Sequence, residues 1–380
     1  MLRRLDPMPG LPAGLSMKNR LRVALLFGGK SAEHEISLIS ARHIYQAIDH
    51  AKYQVLPIAI DRSGCWFLDR SARLLRNAAI PRVEDADPAD KIAIIPGGRS
   101  AALVRASSGR PIGRVDVFFP VLHGPFGEDG TIQGLVKVAD VPFVGAGVLG
   151  SALGMDKDVM KRLLRDAGIT VAKFRVFERH EHKTIRFAAV ARELGLPLFV
   201  KPASLGSSVG ISKVSRPGEF AGAIALAFRY DNKVVVEEAI RGREIECSVL
   251  GNENPLASLP GEIIVQREFY SYQAKYLDDQ GARLEIPARL PGSLVKRIQR
   301  TALQAFRALC CEGMARVDFF LQDDGRVVVN EINTIPGFTQ ISMYPKMWEA
   351  TGLSSSRLID RLIGLALSRG RKEIRLGRGK

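Results

Sequence analysis

One stretch constrains the fold of this chain more than any other. Residues 314–338 alternate, turn and alternate back: Ala315-Arg-Val-Asp-Phe-Phe-Leu, a two-residue turn signal at Asp324-Gly325, then Arg326-Val-Val-Val-Asn-Glu-Ile-Asn. With Asp324-Gly325 as a type I′ turn, Asp323 pairs with Arg326. Counting back in twos then sets Asp318 opposite Glu331 and Arg316 opposite Asn333. A period of two keeps all four on one face. Carboxylates directly across a strand pair repel, so the pattern demands a cation between them. An oxygen-only set of Asp, Glu and Asn suits Mg²⁺, which takes few protein ligands and completes its shell from phosphate and water.

The rest of the chain reads as alternating strands and helices, an α/β (α+β) fold. Leu21 to Phe27 is a short apolar strand, followed by Gly28-Gly29-Lys30-Ser31 and a helix striped by Ile36, Ile39, His43, Ile44, Ala47 and Ile48. Strands follow at Tyr53 to Ile60 and Val115 to Leu122, with an irregular excursion from Arg73 to Arg114 between them. This predicts an open parallel sheet with functional groups at its strand ends. Asp156 to Ala167 reads as a helix closed by Gly168, and Leu196 to Pro202 as a strand. A helix near Gly218 to Phe228, the strand Lys233 to Glu238 and a last helix from about Ser354 complete the reading.

Several function classes are disfavoured. Gly28-Gly29-Lys30-Ser31 ends like a phosphate-binding P-loop, but Ala24 stands where that pattern needs glycine. No G-x-G-x-x-G follows a strand with a downstream acid, which argues against a dinucleotide oxidoreductase. No apolar run is long enough for a membrane span, and no continuous apolar segment near the N-terminus makes a secretory signal. Four cysteines lack metal spacing, which reads as reduced thiols in the cytoplasm. The net charge of +15 gathers largely in two basic termini, residues 1–20 and 368–380, expected as solvated tails without specific nucleic-acid binding. Met17 offers an alternative start. His180-Glu181-His182 has no further ligand nearby and reads as a solvated loop.

The remaining motifs carry chemistry with two readings each. Glu33 sits at a helix start, where the dipole stabilises a carboxylate, or it binds an ammonium group. Lys201-Pro-Ala-Ser-Leu-Gly-Ser-Ser-Val-Gly210 is a strand, a lysine and a small-residue loop, suited to phosphate or simply mobile. Lys157 is a second phosphate contact or a surface lysine. The strand ending Glu237-Glu238 is a charged terminus or an edge for a purine, with Glu244 within reach of a ribose. Tyr270 to Tyr276 reads as a lid that excludes water.

In this order the motifs resemble the D-alanine–D-alanine ligase family of ATP-grasp enzymes. The resemblance runs from about Arg22 to Leu367. It rests on Gly28 to Glu35, His123-Gly-Pro-Phe-Gly-Glu-Asp-Gly-Thr-Ile-Gln-Gly134, Met155-Asp-Lys157, Lys201-Pro-Ala, Gly206-Ser-Ser-Val-Gly210, Ala274-Lys-Tyr276, Ala315-Arg-Val-Asp318 and Asn330-Glu-Ile-Asn-Thr-Ile-Pro-Gly337. It implies three domains: an N-terminal open-sheet domain over 21–148, a central ATP-grasp subdomain over 149–232, and a C-terminal subdomain over 233–367. It further implies ATP-dependent joining of two D-alanines through an acyl phosphate. Glu33 would hold the first ammonium with Ser207 and Tyr276 around it, and His123 would border the substrate. Arg316 and the Gly337 N–H would stabilise the oxyanion, and Ser342 would take the second carboxylate. Lys157, Lys201, Ser208 and Lys275 would meet the phosphates, and Glu237, Glu238, Ile240 and Glu244 the adenosine. Asp318, Glu331 and Asn333 would hold two Mg²⁺ or Mn²⁺ ions. The family further suggests a homodimer. Ala239 departs from the bulky aromatic common after the adenine glutamate, and retention of Ala274-Lys-Tyr276 favours D-alanine over D-lactate as second substrate.

Overall fold

A computed structural model of the protein describes residues 20–76, 83, 87–99, 102–207, 209–265 and 282–377. Its first layer contains β1 (Leu21–Gly28), α1 (His34–Ala47), β2 (Tyr53–Ile60), β3 (Trp66–Leu68), α2 (Arg73–Arg76), β4 (Lys91–Ile94), β5 (Leu103–Arg105), β6 (Val117–Pro120) and α3 (Thr131–Val138). The sheet order is β5-β4-β3-β2-β1-β6. β1 pairs parallel with β2 and with β6, whereas β3, β4 and β5 add antiparallel. The expected parallel sheet is therefore mixed, and the supposed excursion after Arg73 supplies two of its strands. Those strands are short, which left their period of two unreadable.

β1 is buried on both faces, as a central strand of alternating outlook should be. Val23, Leu25 and Phe27 meet Leu38, Ala41 and Ile44 of α1, while Ala24 and Leu26 meet Ile132 and Val136 of α3. The C-terminal helix docks on the first of these faces.

The second layer follows α4 (Val148–Met155) and α5 (Lys157–Asp166). It comprises β7 (Phe174–Glu178), α6 (Phe187–Leu194), β8 (Leu198–Pro202), β9 (Ser212–Val214), α7 (Pro217–Tyr230) and β10 (Lys233–Glu238), with sheet order β7-β10-β8-β9. Val200, Val234 and Val236 face α6 and α7. The opposite face carries Lys201 and Glu237. β10 lies inside this sheet, so its pairing runs across the expected boundary at 232/233. Its ladder groups bond to β7 on one side and β8 on the other.

The third layer holds β11 (Arg243–Gly251), β12 (Leu256–Ala257), β13 (Gly261–Val265), β14 (Ala282–Glu285), α8 (Gly292–Ala308), β15 (Gly313–Leu321), β16 (Val327–Asn333), α9 (Met343–Ala350) and α10 (Ser355–Gly377). Its strands pair antiparallel with one another. Ile245, Cys247 and Val249 of β11, with Ala315, Val317 and Phe319 of β15, pack on α8 and on Met160 and Leu164 of α5.

α10 returns to the first sheet, burying Leu358, Ile359, Leu362, Ile363 and Ala366 in its core. Each large apolar side chain so covered contributes about 1.5–3 kcal/mol. The helix continues to Gly377, so residues 368–377 are not a tail. Arg369 is buried and donates to Phe143 O at 2.7 Å and Gly145 O at 2.8 Å, with Glu312 at 3.3 Å. Among the described residues no helix is long and apolar enough to cross a membrane.

Candidate active site

The hairpin of β15 and β16 forms the floor. Arg316 pairs with Asn333 and Asp318 with Glu331, as the sequence predicts, but through two compensating differences. The turn is a three-residue loop: Gln322 N–H donates to Arg326 O at 3.0 Å, and Gly325 takes φ +81°. That shifts the register by one, pairing Phe319 with Val329. A bulge beyond Asp318 then restores the predicted partners.

The floor carries its own cations. Arg316 forks Asp318 with two hydrogen bonds of 2.7 Å, and its Nε lies 2.9 Å from Glu246 Oε2 on β11. Asn333 Nδ2 donates to Asp318 Oδ2 at 3.0 Å. Lys157 Nζ lies 3.7 Å from Glu331 Oε2 and donates to Leu205 O at 2.6 Å. Burial draws Lys157 below the usual ammonium range, opposed by Glu331. Asp318, Glu331 and Asn333 thus share one face and offer oxygen donors to a divalent cation. The set suits a metal that takes its remaining ligands from phosphate.

The roof comes from α1 and the loop after β6. Glu33 caps α1 and is buried. Its N–H donates to Ser31 Oγ at 3.1 Å, and Ser31 Oγ donates to His123 O at 2.7 Å. Ser207 Oγ donates to Glu33 Oε1, bringing the loop after β8 onto the roof. Gly124, at φ +72°, leaves room for this carboxylate: a Cβ there would sit 2.6 Å from Glu33 Oε2.

His123, expected beside the substrate, is buried and engaged by its neighbours. Its Nδ1 lies 3.0 Å from Ile335 O and its Nε2 3.2 Å from Ser40 Oγ, which also accepts from Phe338 N–H at 3.2 Å. An Nδ1–H donating to Ile335 O leaves Nε2 to accept from Ser40. Burial favours this neutral ring, lowering its pKa against the pull of Glu33. His123 and Ser40 clamp the segment that presents Gly337. Ser342 caps α9 beside it: a Cβ on Gly337 would lie 3.0 Å from Ser342 Oγ, which accepts from Thr339 N–H at 2.9 Å.

The phosphate and adenosine residues divide. Lys201 Nζ pairs with Glu237 Oε1, and Lys161 Nζ lies 3.0 Å from Glu237 Oε2. Burial alone would raise Glu237, but Lys161 and Lys201 hold it down to about 2. Its carboxylate, expected beside the adenosine, is thus paired with two lysines. Glu238 Oε1 accepts from Lys173 N–H at 2.7 Å. Ile240 and Glu244 are half-buried, and Glu244 lies two residues from Glu246 on the floor side of β11. Ser208, Lys275, Tyr276 and the expected lid lie outside the described residues.

Sequence reasoning missed Lys161, Glu246, Ser40 and Glu128. Lys161 carried a signal, standing four residues after Lys157 on one helical face. Glu246 carried the period of two from Glu244. Glu128 accepts from Gly124 N–H at 2.8 Å and Ile335 N–H at 3.2 Å, joining roof to floor.

Solved structures share this fold. A D-alanine-D-alanine ligase from Coxiella burnetii superposes with a TM-score of 0.83 at 41% identity, covering 94% of this chain and 97% of that one. The VanG D-Ala:D-Ser ligase from Enterococcus faecalis gives 0.81 at 39%, covering 92% and 100%. The fold is thus that of ATP-grasp ligases. Family models for the D-ala D-ala ligase N-terminus and C-terminus match residues 22–146 and 163–364. The D-alanine–D-alanine ligase A of Chromobacterium violaceum is 52% identical over 360 residues, 94% of this chain and 98% of the relative. That of Salmonella typhimurium is 53% identical over 351 residues, 92% and 96%. The chain belongs to the D-alanine–D-alanine ligase family.

Proposed function

We infer that the protein joins two D-alanines at the expense of ATP, supplying D-alanyl-D-alanine for peptidoglycan precursors. The observation that carries this reading is the convergence of Glu33, from the N-terminal layer, with Arg316, Asp318 and Glu331 of the hairpin and Lys157 of α5 around one cleft. The first D-alanine lays its ammonium on Glu33, steadied by Ser207 and Tyr276. Its carboxylate oxygen attacks the γ-phosphorus, breaking the bond to ADP and forming an acyl phosphate. The amine of the second D-alanine, its carboxylate held at Ser342, then adds to the carbonyl carbon.

The resulting oxyanion is met by Arg316 and the Gly337 N–H, the preorganised donors that acyl transfer requires. Collapse expels phosphate, and the amine's surplus proton leaves with it or with solvent. Lys157, Lys201, Ser208 and Lys275 hold the phosphates, while Glu237, Glu238, Ile240 and Glu244 border the adenosine. Asp318, Glu331 and Asn333 would hold two Mg²⁺ or Mn²⁺ ions, which would supply charge neutralisation for the phosphoryl group. Glu237 also pairs with Lys201, one of the phosphate lysines. The enzyme works in the cytoplasm as a homodimer; the exposed Leu135 and Val138 of α3 and Leu149 of neighbouring α4 support a self-contact.

The test is phosphate release from MgATP with D-alanine, L-alanine, D-alanine plus D-serine, or D-alanine plus D-lactate, with products resolved by mass. D-alanyl-D-alanine from D-alanine alone, lost in Glu331→Gln, is the expected result. A mixed dipeptide or depsipeptide as main product would change the second substrate. No turnover with any pair would overturn the ligase reading.

A further inference from the structure

Lys161 has no part in the chemistry above, yet it is the most deeply buried charged group near the cleft, with no exposed surface. It lies one helical turn beyond Lys157 on α5, aimed at the sheet face that carries Glu237 and Lys201. The charged groups facing Glu237 are Lys157 and Lys161 from α5 and Lys201 from β8; β7 opposes it with Phe174. The two carboxylate oxygens are shared out, Oε1 to Lys201 and Oε2 to Lys161.

One of those two lysines is wanted elsewhere. A phosphate anion in the cleft competes with Glu237 for the Lys201 ammonium. Were Lys201 the sole partner of Glu237, each phosphate bound would strand a buried carboxylate, a costly outcome. We propose that Lys161 is the standing counterion of Glu237, a positioning residue that holds this carboxylate charged and in place while Lys201 turns to phosphate. The inference rests on the reading of Lys201 as a phosphate ligand. It assigns Lys161 no contact with ATP or with amino acid.

The experiment is calorimetric MgATP binding to the full chain without amino acid, in buffers of differing ionisation enthalpy. The proteins are wild type, Lys161→Met, Lys161→Gln and Lys161→Arg, with thermal unfolding to verify folding. The two neutral substitutions should weaken MgATP about 100-fold, the scale expected for a buried carboxylate left without its counterion. They should also take up about one proton more than wild type on binding, because Glu237 must then be neutralised. Their affinity should accordingly fall with rising pH relative to wild type, whereas Lys161→Arg should track wild type. In the Glu237→Gln background, Lys161→Met should cost little further, a coupling that a merely structural lysine would not produce.

Equal proton uptake in wild type and the neutral variants, or an undiminished Lys161→Met penalty in the Glu237→Gln background, would overturn the proposal. Lys201→Ala separates it from the reading beneath. Unchanged MgATP affinity in that variant would remove the phosphate role of Lys201 and the inference with it. Weakened affinity there, with Lys161→Met unaffected, would sink the inference alone. Because no amino acid is present, a different second substrate leaves every outcome intact.

Discussion

Ser207 Oγ donates its hydrogen bond to Glu33 Oε1 across a separation of 174 residues, tying the loop after β8 to the N-terminus of α1. Ser207 adopts φ +52°, a left-handed backbone that a serine holds only when its surroundings demand it. The contact makes Glu33 a shared residue of two layers and orients its carboxylate toward the cleft.

Removing that donor should therefore act on the first amino acid and not on the nucleotide. Ser207→Ala should raise KM for the first D-alanine about tenfold, the worth of a hydrogen bond to a charged group. Glu33→Gln, which loses the charge itself, should do more. Initial-rate kinetics resolving the two D-alanine sites and ATP would check this; an effect confined to KM for ATP would contradict it.

Ser40 links His123 to Phe338 N–H, so it acts on the Gly337 segment without reaching the cleft. Ser40→Ala should lower kcat by about 10–100-fold, as a displaced oxyanion donor does, while leaving KM for ATP near its original value. Ser40→Thr, which keeps the hydroxyl, should recover part of the loss. A change in KM for ATP with unchanged kcat would mean that the clamp does not govern the oxyanion donors.

Glu128 gives a pH dependence with a definite sign. Burial, reinforced by the nearby Glu33 charge, lifts its carboxyl from the ordinary 4.5 to about 8. Between those values the folded protein retains a proton that the unfolded chain releases, so stability declines as pH rises through the window and levels off above it. Glu128→Gln cannot release a proton, so its stability should fall less over that range. Urea unfolding of both proteins between about pH 5 and 8 reads the difference, and parallel curves would rule out the raised value.

Arg369 converts the basic C-terminus into structure. Its guanidinium bonds two carbonyls of the segment after β6 and lies 4.5 Å from the centre of the Phe143 ring. Arg369→Ala should destabilise the protein by about 3 kcal/mol, because the carbonyls lose a buried charged donor. Removal of residues 369–380 should cost at least as much in a thermal or urea melt. A solvated tail would predict no change in either.

The sequence by itself determined what repeats locally. The period of two in residues 315–321 and 327–333, with a turn signal between, was enough to face Asp318 with Glu331 and Arg316 with Asn333. Asp156 ahead of α5 and Gly168 after it bounded that helix, because capping depends on a few adjacent residues. The ordered motifs also disclosed the family.

Tertiary structure alone decided the joins. The bulge after Asp318 arose where turn geometry had to be reconciled with the floor, and no local signal marked it. Strands as short as β3 and β5 carry too few residues for a period, so the mixed sheet stayed hidden. His123 met Ser40 and Ile335, Glu237 met Lys161, and Arg369 met Phe143 for one physical reason. Each is a buried polar group whose partner lies far along the chain, and its free energy depends on desolvation and on donors that only the folded chain brings within reach.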